Sequence, residues 1–121
     1  MDRPASHLEL GAAGEGAALA HYLNVGYREL ARGWRSPLGE IDLVIARAGT
    51  LVFCEVKTRR GSAFGGPFEA VGWKKQRKLR QLAQAFLAAS GLEPDGIRFD
   101  VASVMVDERG RPSVHVFEGA F

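Results

Sequence analysis

Three charged residues, Asp42, Glu55 and Lys57, lie inside two otherwise apolar runs of this sequence. Side chains alternate across a β-strand, so Glu55 and Lys57 share one face near the C-terminal end of the second run. If the two runs pair as a hairpin that places Asp42 beside Glu55, two carboxylates and an amine meet in one patch. Carboxylates are costly to bury unless they are paired, protonated or bound to a metal. These residue types therefore indicate either a buried ion pair or a metal site.

A carboxylate on the first predicted helix adds to this group of charges. Positions 15, 18, 19 and 22 share one helical face and hold Glu, Ala, Leu and Tyr, so Glu15 lies on or beside the inward stripe. A salt bridge between Lys57 and one strand acid would leave the other acid and Glu15 without a cation. A divalent ion would satisfy several carboxylates at once, and oxygen ligands favour Mg²⁺ or Mn²⁺ over zinc. The pattern favours the metal site over the ion pair.

Apolar periodicity and turn residues predict the elements that position these groups. A helix over residues 9–24 is followed by strands over 27–34, 40–47 and 50–58. A second helix over 73–90 precedes strands over 98–106 and 113–117. Residues 48 and 49 are expected to form a hairpin turn, and residues 61–68 a flexible loop. The simplest arrangement is one α/β layer structure, a sheet with helices packed on it.

The composition limits the classes to which the protein can belong. With 121 residues, 46% apolar and 25% charged, the chain is globular and suits a single domain over residues 1–121. No apolar run approaches the roughly 18 residues that span a bilayer, and the N-terminus does not resemble a signal peptide. A single cysteine, Cys54, excludes an internal disulfide and fits a reducing compartment. We expect a cytoplasmic protein with no membrane partner and with Cys54 in its core.

Positive charge is concentrated in one segment, although the net charge is only +2. Residues 57–80 hold eight Lys and Arg residues and a single acid. Such a segment indicates either a surface that binds a polyanion or an ordinary solvated helix. Several of these cations open the second helix, where the helix dipole disfavours them, so an external anion such as phosphate is indicated. The candidate phosphate contacts are Arg59, Arg60, Lys74, Lys75, Arg77 and Lys78.

Two further features stay open from the sequence alone. Glu40, close to Asp42 in the chain, is expected on the opposite strand face, as an exposed residue at a sheet edge or one that hydrogen-bonds to a turn. The aromatic residues Trp34, Phe64 and Trp73 either stack on unpaired bases or anchor the core and loops, and anchoring is the commoner role.

Several motifs, in order along the chain, resemble a nuclease family. Asp42 followed by Glu55-Val56-Lys57 matches the D…(D/E)xK pattern of the PD-(D/E)xK nuclease superfamily, with Ile41 where the motif's name has proline. The sequence around these residues looks like that of the YraN family, small bacterial proteins that resemble archaeal Holliday-junction resolvases. The resemblance covers residues 14–106 and rests on GEGAALAHYLNVGYREL, GEIDLV, VFCEVKTRR, FGGPFEAV, KKQRKLRQLAQAFL and RFDVASV.

This resemblance implies a restriction-endonuclease-like α/β fold, with a mixed central sheet flanked by helices. It implies metal-dependent hydrolysis of phosphodiester bonds in DNA, including branched or flapped DNA. Asp42, Glu55 and the main-chain carbonyl of Val56 would bind Mg²⁺ or Mn²⁺, while Glu15 would hold metal-bound water or a second ion. Lys57 would position or polarise the attacking water. The basic residues would contact phosphates without reading sequence, and similarity to the resolvases suggests a homodimer.

Two functions of different class follow from these features. The first is a Mg²⁺- or Mn²⁺-dependent endonuclease acting on DNA. The second is a nucleic-acid-binding module that keeps the fold without turnover. Filled site positions favour the nuclease, because a binding module could lose Asp42 or Lys57 without penalty. A third function, a scaffold whose basic helix binds an acidic protein, has less support.

Overall fold

Residues 7–61 and 71–121 are described by the structure, a computed structural model, with side chains from Glu9 onward. In chain order the described elements are α1 (His7–Asn24), β1 (Arg28–Ser36), β2 (Gly39–Arg47), β3 (Thr50–Arg60), α2 (Trp73–Ser90), β4 (Gly96–Val106) and β5 (Pro112–Phe117). The predicted order α-β-β-β-α-β-β is confirmed, and α2 has the predicted bounds. Phe64 and the predicted loop beyond Gly61 lie outside the described residues.

The described strands lie side by side in one sheet, in the order β1-β2-β3-β4-β5. β3 and β4 are parallel, whereas the other neighbouring pairs are antiparallel. A parallel pair needs a crossover connection, and α2 lies between β3 and β4 in the chain. The predicted α/β fold, a mixed sheet flanked by helices, is confirmed. Neither helix of the described residues is both long and apolar enough to cross a membrane.

One face of the sheet is covered by α2. Its residues Leu79, Leu82, Ala83 and Phe86 recur at helical spacing and are buried in the core on this face. Phe86 packs edge to face on Phe53, with ring centroids 5.8 Å apart. Truncating a buried ring of this kind to Ala costs about 3–5 kcal/mol. This apolar stripe fixes the rotation of α2 and so decides which of its lysines reach the sheet.

The opposite face of the sheet is covered by α1. Ala18, Leu19 and Tyr22 are buried in a second core, together with Leu43 of β2 and Cys54 of β3. Cys54 is 1% exposed, as predicted, and burial raises the pKa of its thiol to about 12. Since the thiolate is the reactive form, a thiol that stays protonated is a packing group.

A close approach between α1 and β3 sets the position of Glu15. Gly14 is buried, and a Cβ atom placed on it would overlap the hydroxyl group of Thr58. Only glycine lets the helix lie this close to the strand. Glu15, the next residue, is thereby held near the C-terminal part of β3, where Glu55 and Lys57 lie.

A buried carboxylate, Asp100, ties α1 to the sheet and to the end of the chain. It is 0% exposed and accepts hydrogen bonds from the Tyr22 hydroxyl at 2.7 Å, from Arg98 Nε and Nη2 at 2.8 and 2.9 Å, and from the Gly119 N–H at 3.0 Å. A buried carboxylate is tolerated when it is paired in this way. Asp100 is therefore a fully satisfied acid with a structural role, in contrast to the acids described next.

Candidate metal centre

The candidate site lies where β2 and β3 stop pairing. Their antiparallel ladder ends at the pair Leu43↔Cys54, so Asp42 and Glu55 occupy the next position on each strand. This is the register that the sequence analysis considered, with the two carboxylates on neighbouring strands. Beyond this point no further ladder pairs join β2 and β3 within the described residues, and side chains can occupy the space between the strands.

Asp42 reaches across this space with its carboxylate. Its Oδ2 accepts a hydrogen bond from the main-chain N–H of Val56 at 2.8 Å. β2 also changes phase here, because Ile41 packs in the core beneath α2 while Leu43 packs beneath α1. Regular alternation would place those two side chains on one face. The phase change and the hydrogen bond together hold the Asp42 carboxylate between the two strands.

Two glutamates from different elements join Asp42. The carboxylate oxygens of Glu15, Glu40 and Asp42 all lie within 4.8 Å of one another, and all three residues are partly buried. Glu15 comes from α1, whereas Glu40 comes from β2, the strand that carries Asp42. The structure thus brings two predicted site residues, Glu15 and Asp42, together with an acid that was not predicted. We call these three residues the carboxylate cluster.

Glu40 differs from its expected position, at a sheet edge and on the strand face opposite Asp42. β2 lies between β1 and β3, so Glu40 is on an inner strand, and its carboxylate belongs to the cluster. It also lies 3.3 Å from Nε of Arg35 on the edge strand β1. The signal that could have found it is the strand repeat, since residues two apart point to the same face and Glu40 is two residues from Asp42.

Cationic side chains accompany three of the four acids at the site. Besides the Glu40–Arg35 pair, Glu15 Oε1 lies 3.9 Å from Nε of Arg32. Glu55, outside the carboxylate cluster, has its Oε1 3.4 Å from Nζ of Lys75 on α2. These three acids therefore form ion pairs, which is the alternative to a metal site that the sequence left open. Lys57, the partner expected from the sequence, is in none of these pairs.

Asp42 is the acid whose charge is least compensated. Within the described residues it has no ion pair and relies on the Val56 N–H. Burial raises the pKa of Asp42 from 3.8 to about 7, and repulsion from Glu55, Glu15 and Glu40 adds to the rise, while the hydrogen bond from Val56 opposes it. Burial likewise raises the pKa of Glu15. Such a group of acids takes up a proton or a cation more readily than isolated carboxylates do.

The donor set of the carboxylate cluster fits a hard divalent cation. Mg²⁺ binds oxygen at about 2.1 Å, so two ligand oxygens of one ion lie at most about 4.2 Å apart. The oxygens of the three carboxylates lie within 4.8 Å of one another, a limit only slightly wider than that spacing. The cluster offers only carboxylate oxygens, which favour Mg²⁺ or Mn²⁺ over zinc. Val56 as a carbonyl ligand and Glu55 as a carboxylate ligand stay predictions.

Lys57 follows Glu55 by two residues on β3 and is partly buried. Strand alternation places the two side chains on one face. Within residues 9–61 and 71–121, the Lys57 ammonium group makes no hydrogen bond or ion pair. Its charge is therefore available to a ligand, whereas the charge of Lys75 is used by Glu55.

The predicted phosphate contacts lie on the two elements that carry Glu55 and Lys75. Those exposed at the end of β3 are Arg59 and Arg60, and those exposed on the first turns of α2 are Lys74, Arg77 and Lys78. Lys75 is also exposed, but its ammonium group turns to Glu55. Contact of any of these residues with nucleic acid stays a prediction.

The fold and the site describe a small α/β protein with clustered carboxylates at the end of a strand pair. The chain matches the model of Uncharacterised protein family UPF0102 over residues 14–104. It is 43% identical over 117 residues to a UPF0102 protein of Rhodococcus jostii, covering 97% of this chain and 99% of that one. For a UPF0102 protein of Moorella thermoacetica the values are 46% over 112 residues, with 92% and 93% covered. A UPF0102 protein of Symbiobacterium thermophilum is 47% identical over 112 residues, with 93% and 95% covered.

The chain therefore belongs to the UPF0102 family, the YraN-type family that its ordered motifs resemble. The range that matches the family model contains the whole carboxylate cluster and also Glu55 and Lys57.

Proposed function

We propose that the protein is an endonuclease that uses Mg²⁺ or Mn²⁺ to hydrolyse phosphodiester bonds in DNA, including branched or flapped DNA. The observation that carries the proposal is the convergence of Glu15, Glu40 and Asp42 within 4.8 Å. Carboxylates this close, one with a pKa raised to about 7, are costly to the fold unless a cation or a proton joins them. The resemblance to PD-(D/E)xK nucleases supports the same activity.

The carboxylate cluster would hold the ion. Asp42 is oriented by the Val56 N–H, Glu15 by the docking of α1 and Glu40 by its place on β2. When bound, a divalent ion lowers the pKa of water and offsets the charge of the scissile phosphate. Because the three acids come from two separate elements, folding itself assembles the donor set.

Lys57 is the candidate for stabilising the reacting phosphate. Its ammonium group is a compact point charge on the strand face of Glu55, and it has no partner within the described residues. A cation placed beforehand where negative charge develops lowers the barrier of the reaction. Arg59 and Arg60, which continue the same strand, would contact neighbouring phosphates and position the substrate.

Glu55 would complete the predicted ligand set, but its carboxylate is neutralised by Lys75 at 3.4 Å. Binding of an ion at Glu55 therefore competes with this ion pair. A Lys75 released from Glu55 would be available to a phosphate, which is the role predicted from the sequence.

The alternative function is a nucleic-acid-binding module without turnover. One observation favours it: Arg32, Arg35 and Lys75 already accompany three of the four acids. In that case the pairs serve stability, and the basic surface alone contacts nucleic acid. Only Asp42, which is not compensated in this way among the described residues, argues against it directly.

A cleavage assay separates the two functions. Labelled duplex, flap, four-way-junction and single-stranded DNA, together with RNA, are incubated with the protein in Mg²⁺, Mn²⁺ or EDTA. Asp42→Asn removes the central carboxylate, and Asp95→Asn, at an exposed position, makes the same chemical change elsewhere. We expect metal-dependent cleavage that Asp42→Asn abolishes and Asp95→Asn retains. Binding without cleavage on every substrate would replace the nuclease with the binding module. Sedimentation of the same samples would test the homodimer.

A further inference from the structure

A groove of about 380 Å³ lies between the β1–β2 turn and the first turns of α2. We call it the Trp73 groove, and it is lined by Leu38, Trp73, Lys74, Arg77, Lys78 and Gln81. Three of these residues are cationic, and none of the described lining residues is acidic. Two are large apolar side chains that stay open to solvent, with Trp73 67% and Leu38 48% exposed.

The two tryptophans of the chain have different surroundings. Trp34 is partly buried and packs edge to face on Phe86, with ring centroids 5.4 Å apart, so it anchors the core. Trp73 instead presents most of its surface to solvent at the start of α2. A rigid indole loses little conformational freedom on stacking and gains burial from it. Of the two tryptophans, Trp73 is thus the one that is open to a ligand.

Helical spacing separates the Trp73 groove from the core. Lys74, Arg77, Lys78 and Gln81 recur at intervals of three and four residues and so share one face of α2. All four are exposed, and the Lys74 ammonium lies 5.9 Å from the centre of the Trp73 ring. The residues that pack α2 on the sheet form a different stripe. The charge of this face is therefore not required for the packing of the helix.

We propose that the Trp73 groove binds an unpaired nucleotide of a single-stranded nucleic acid, with the base stacked on Trp73 and the phosphates at Lys74, Arg77 and Lys78. Charge complementarity selects a polyanion, and the indole selects a polyanion with an accessible aromatic face. Bases inside a duplex are stacked on one another and offer no such face. The inference rests on the proposed function, since it assigns to that site a substrate with a single-stranded segment.

The Trp73 groove and the carboxylates share one helix. Lys75 contacts Glu55 at 3.4 Å, and the Cε atom of Lys78 lies against Gly39, the neighbour of Glu40. Lys75 and Lys78 are three residues apart, which is about 4.5 Å along the helix axis. A nucleic-acid strand with one base stacked on Trp73 therefore has a neighbouring phosphate directed towards the carboxylates.

Tryptophan fluorescence tests the stacking directly. The chain has two tryptophans, so Trp34→Phe leaves Trp73 as the single reporter. Titration in EDTA compares short oligothymidylate, oligouridylate, a blunt DNA duplex of equal phosphate number, and inorganic polyphosphate. We expect quenching of Trp73 by both single strands and little quenching by the blunt duplex or by polyphosphate. Equal quenching by polyphosphate would show an acidic-polymer surface and overturn the proposal.

Substitutions measure the contribution of the ring to affinity. Trp73→Ala should weaken oligothymidylate binding about fivefold to a hundredfold, the usual range for one base stack. Trp73→Phe should retain most of the affinity, and Leu23→Ala, another exposed apolar truncation, should leave it unchanged. Binding of the blunt duplex should not depend on Trp73. An equal loss for duplex and single strand, or no loss for either, would overturn the proposal.

The two proposals fail in different ways. Binding in EDTA does not require cleavage. If the protein is inactive but binds single strands in a Trp73-dependent way, the proposed function fails and the inference about the Trp73 groove stands. If the protein cuts blunt and tailed DNA equally and Trp73→Ala has no effect, the proposed nuclease activity stands and the proposed role of the Trp73 groove fails.

Discussion

The Asp42 carboxylate accepts a hydrogen bond from the Val56 N–H at 2.8 Å, across the point where β2 and β3 stop pairing. At this point the Asp42 carboxylate accepts the hydrogen bond that a main-chain carbonyl would accept in a continuing ladder. The bond fixes the carboxylate, while burial and three neighbouring acids disfavour its charge. Asp42 is therefore well placed to bind a cation and poorly placed to stay ionised without one.

This conflict predicts that Asp42→Asn stabilises the metal-free protein at pH 8. The amide oxygen can still accept the Val56 hydrogen bond, and the buried charge is removed. A pKa raised from 3.8 to about 7 corresponds to a gain of the order of 2 kcal/mol after allowance for partial solvation. The free energy of unfolding in EDTA, from urea titration, is the measurement. Asp95→Asn is the control, and a destabilised Asp42→Asn protein would show that the charge is needed by the fold.

The same shift predicts how stability without metal varies with pH. The pKa of Asp42 is higher in the folded protein than in the unfolded chain, so the fold favours the protonated form. The contribution of Asp42 to the free energy of unfolding is fully present below about pH 4. It is lost as the pH rises through about 7. The difference in unfolding free energy between the wild-type protein and Asp42→Asn should therefore change across this window. Mg²⁺ should reverse the trend, because it binds the ionised carboxylates and stabilises the folded state by mass action. A Mg²⁺-induced rise in Tm that is equal at pH 5.5 and pH 8 would contradict this assignment.

Lys75→Ala should tighten Mg²⁺ binding if Glu55 is a ligand. Lys75 lies 3.4 Å from Glu55 and competes with the ion for that carboxylate. Because Lys75 is half exposed, the pair is worth no more than about 1 kcal/mol, so the expected gain is at most about fivefold. Isothermal titration calorimetry measures it. Lys74→Ala removes the same charge from the adjacent position as a control. Weaker or unchanged Mg²⁺ binding would mean that Glu55 is not a ligand.

Glu40→Gln tests the acid that sequence reasoning missed. Its oxygen lies within 4.8 Å of those of Glu15 and Asp42, so neutralising it should weaken Mg²⁺ binding about tenfold or more. The amide keeps the size of the side chain and an oxygen acceptor. Glu29→Gln, an exposed change on β1, controls for the loss of one negative charge. Equal Mg²⁺ affinity of the two variants would exclude Glu40 from the donor set.

Local patterns predicted much of this site because strand faces and register are local properties. Asp42 and Glu55 were predicted on adjacent strands from the hairpin, and α2 was predicted over residues 73–90 from its apolar periodicity. The Glu55–Lys75 pair could not be predicted in this way, because it depends on the rotation of α2 over the sheet. The Tyr22–Asp100 hydrogen bond joins residues 78 positions apart, and no local pattern indicates such a contact.

Gly14→Ala tests whether the docking of α1 places Glu15 in the carboxylate cluster. The new methyl group would overlap the side chain of Thr58, so the helix must move away from β3. Overpacking of this kind costs about 1–3 kcal/mol, and it should weaken Mg²⁺ binding because Glu15 moves with the helix. Adding Thr58→Gly should recover part of both losses, whereas Gly11→Ala, at an open position on the same helix, should cause neither. Chemical denaturation and calorimetry of the wild-type protein, Gly14→Ala, Thr58→Gly and the double variant measure the coupling between residues 14 and 58. Independent effects of the two substitutions would show that this contact does not set the position of Glu15.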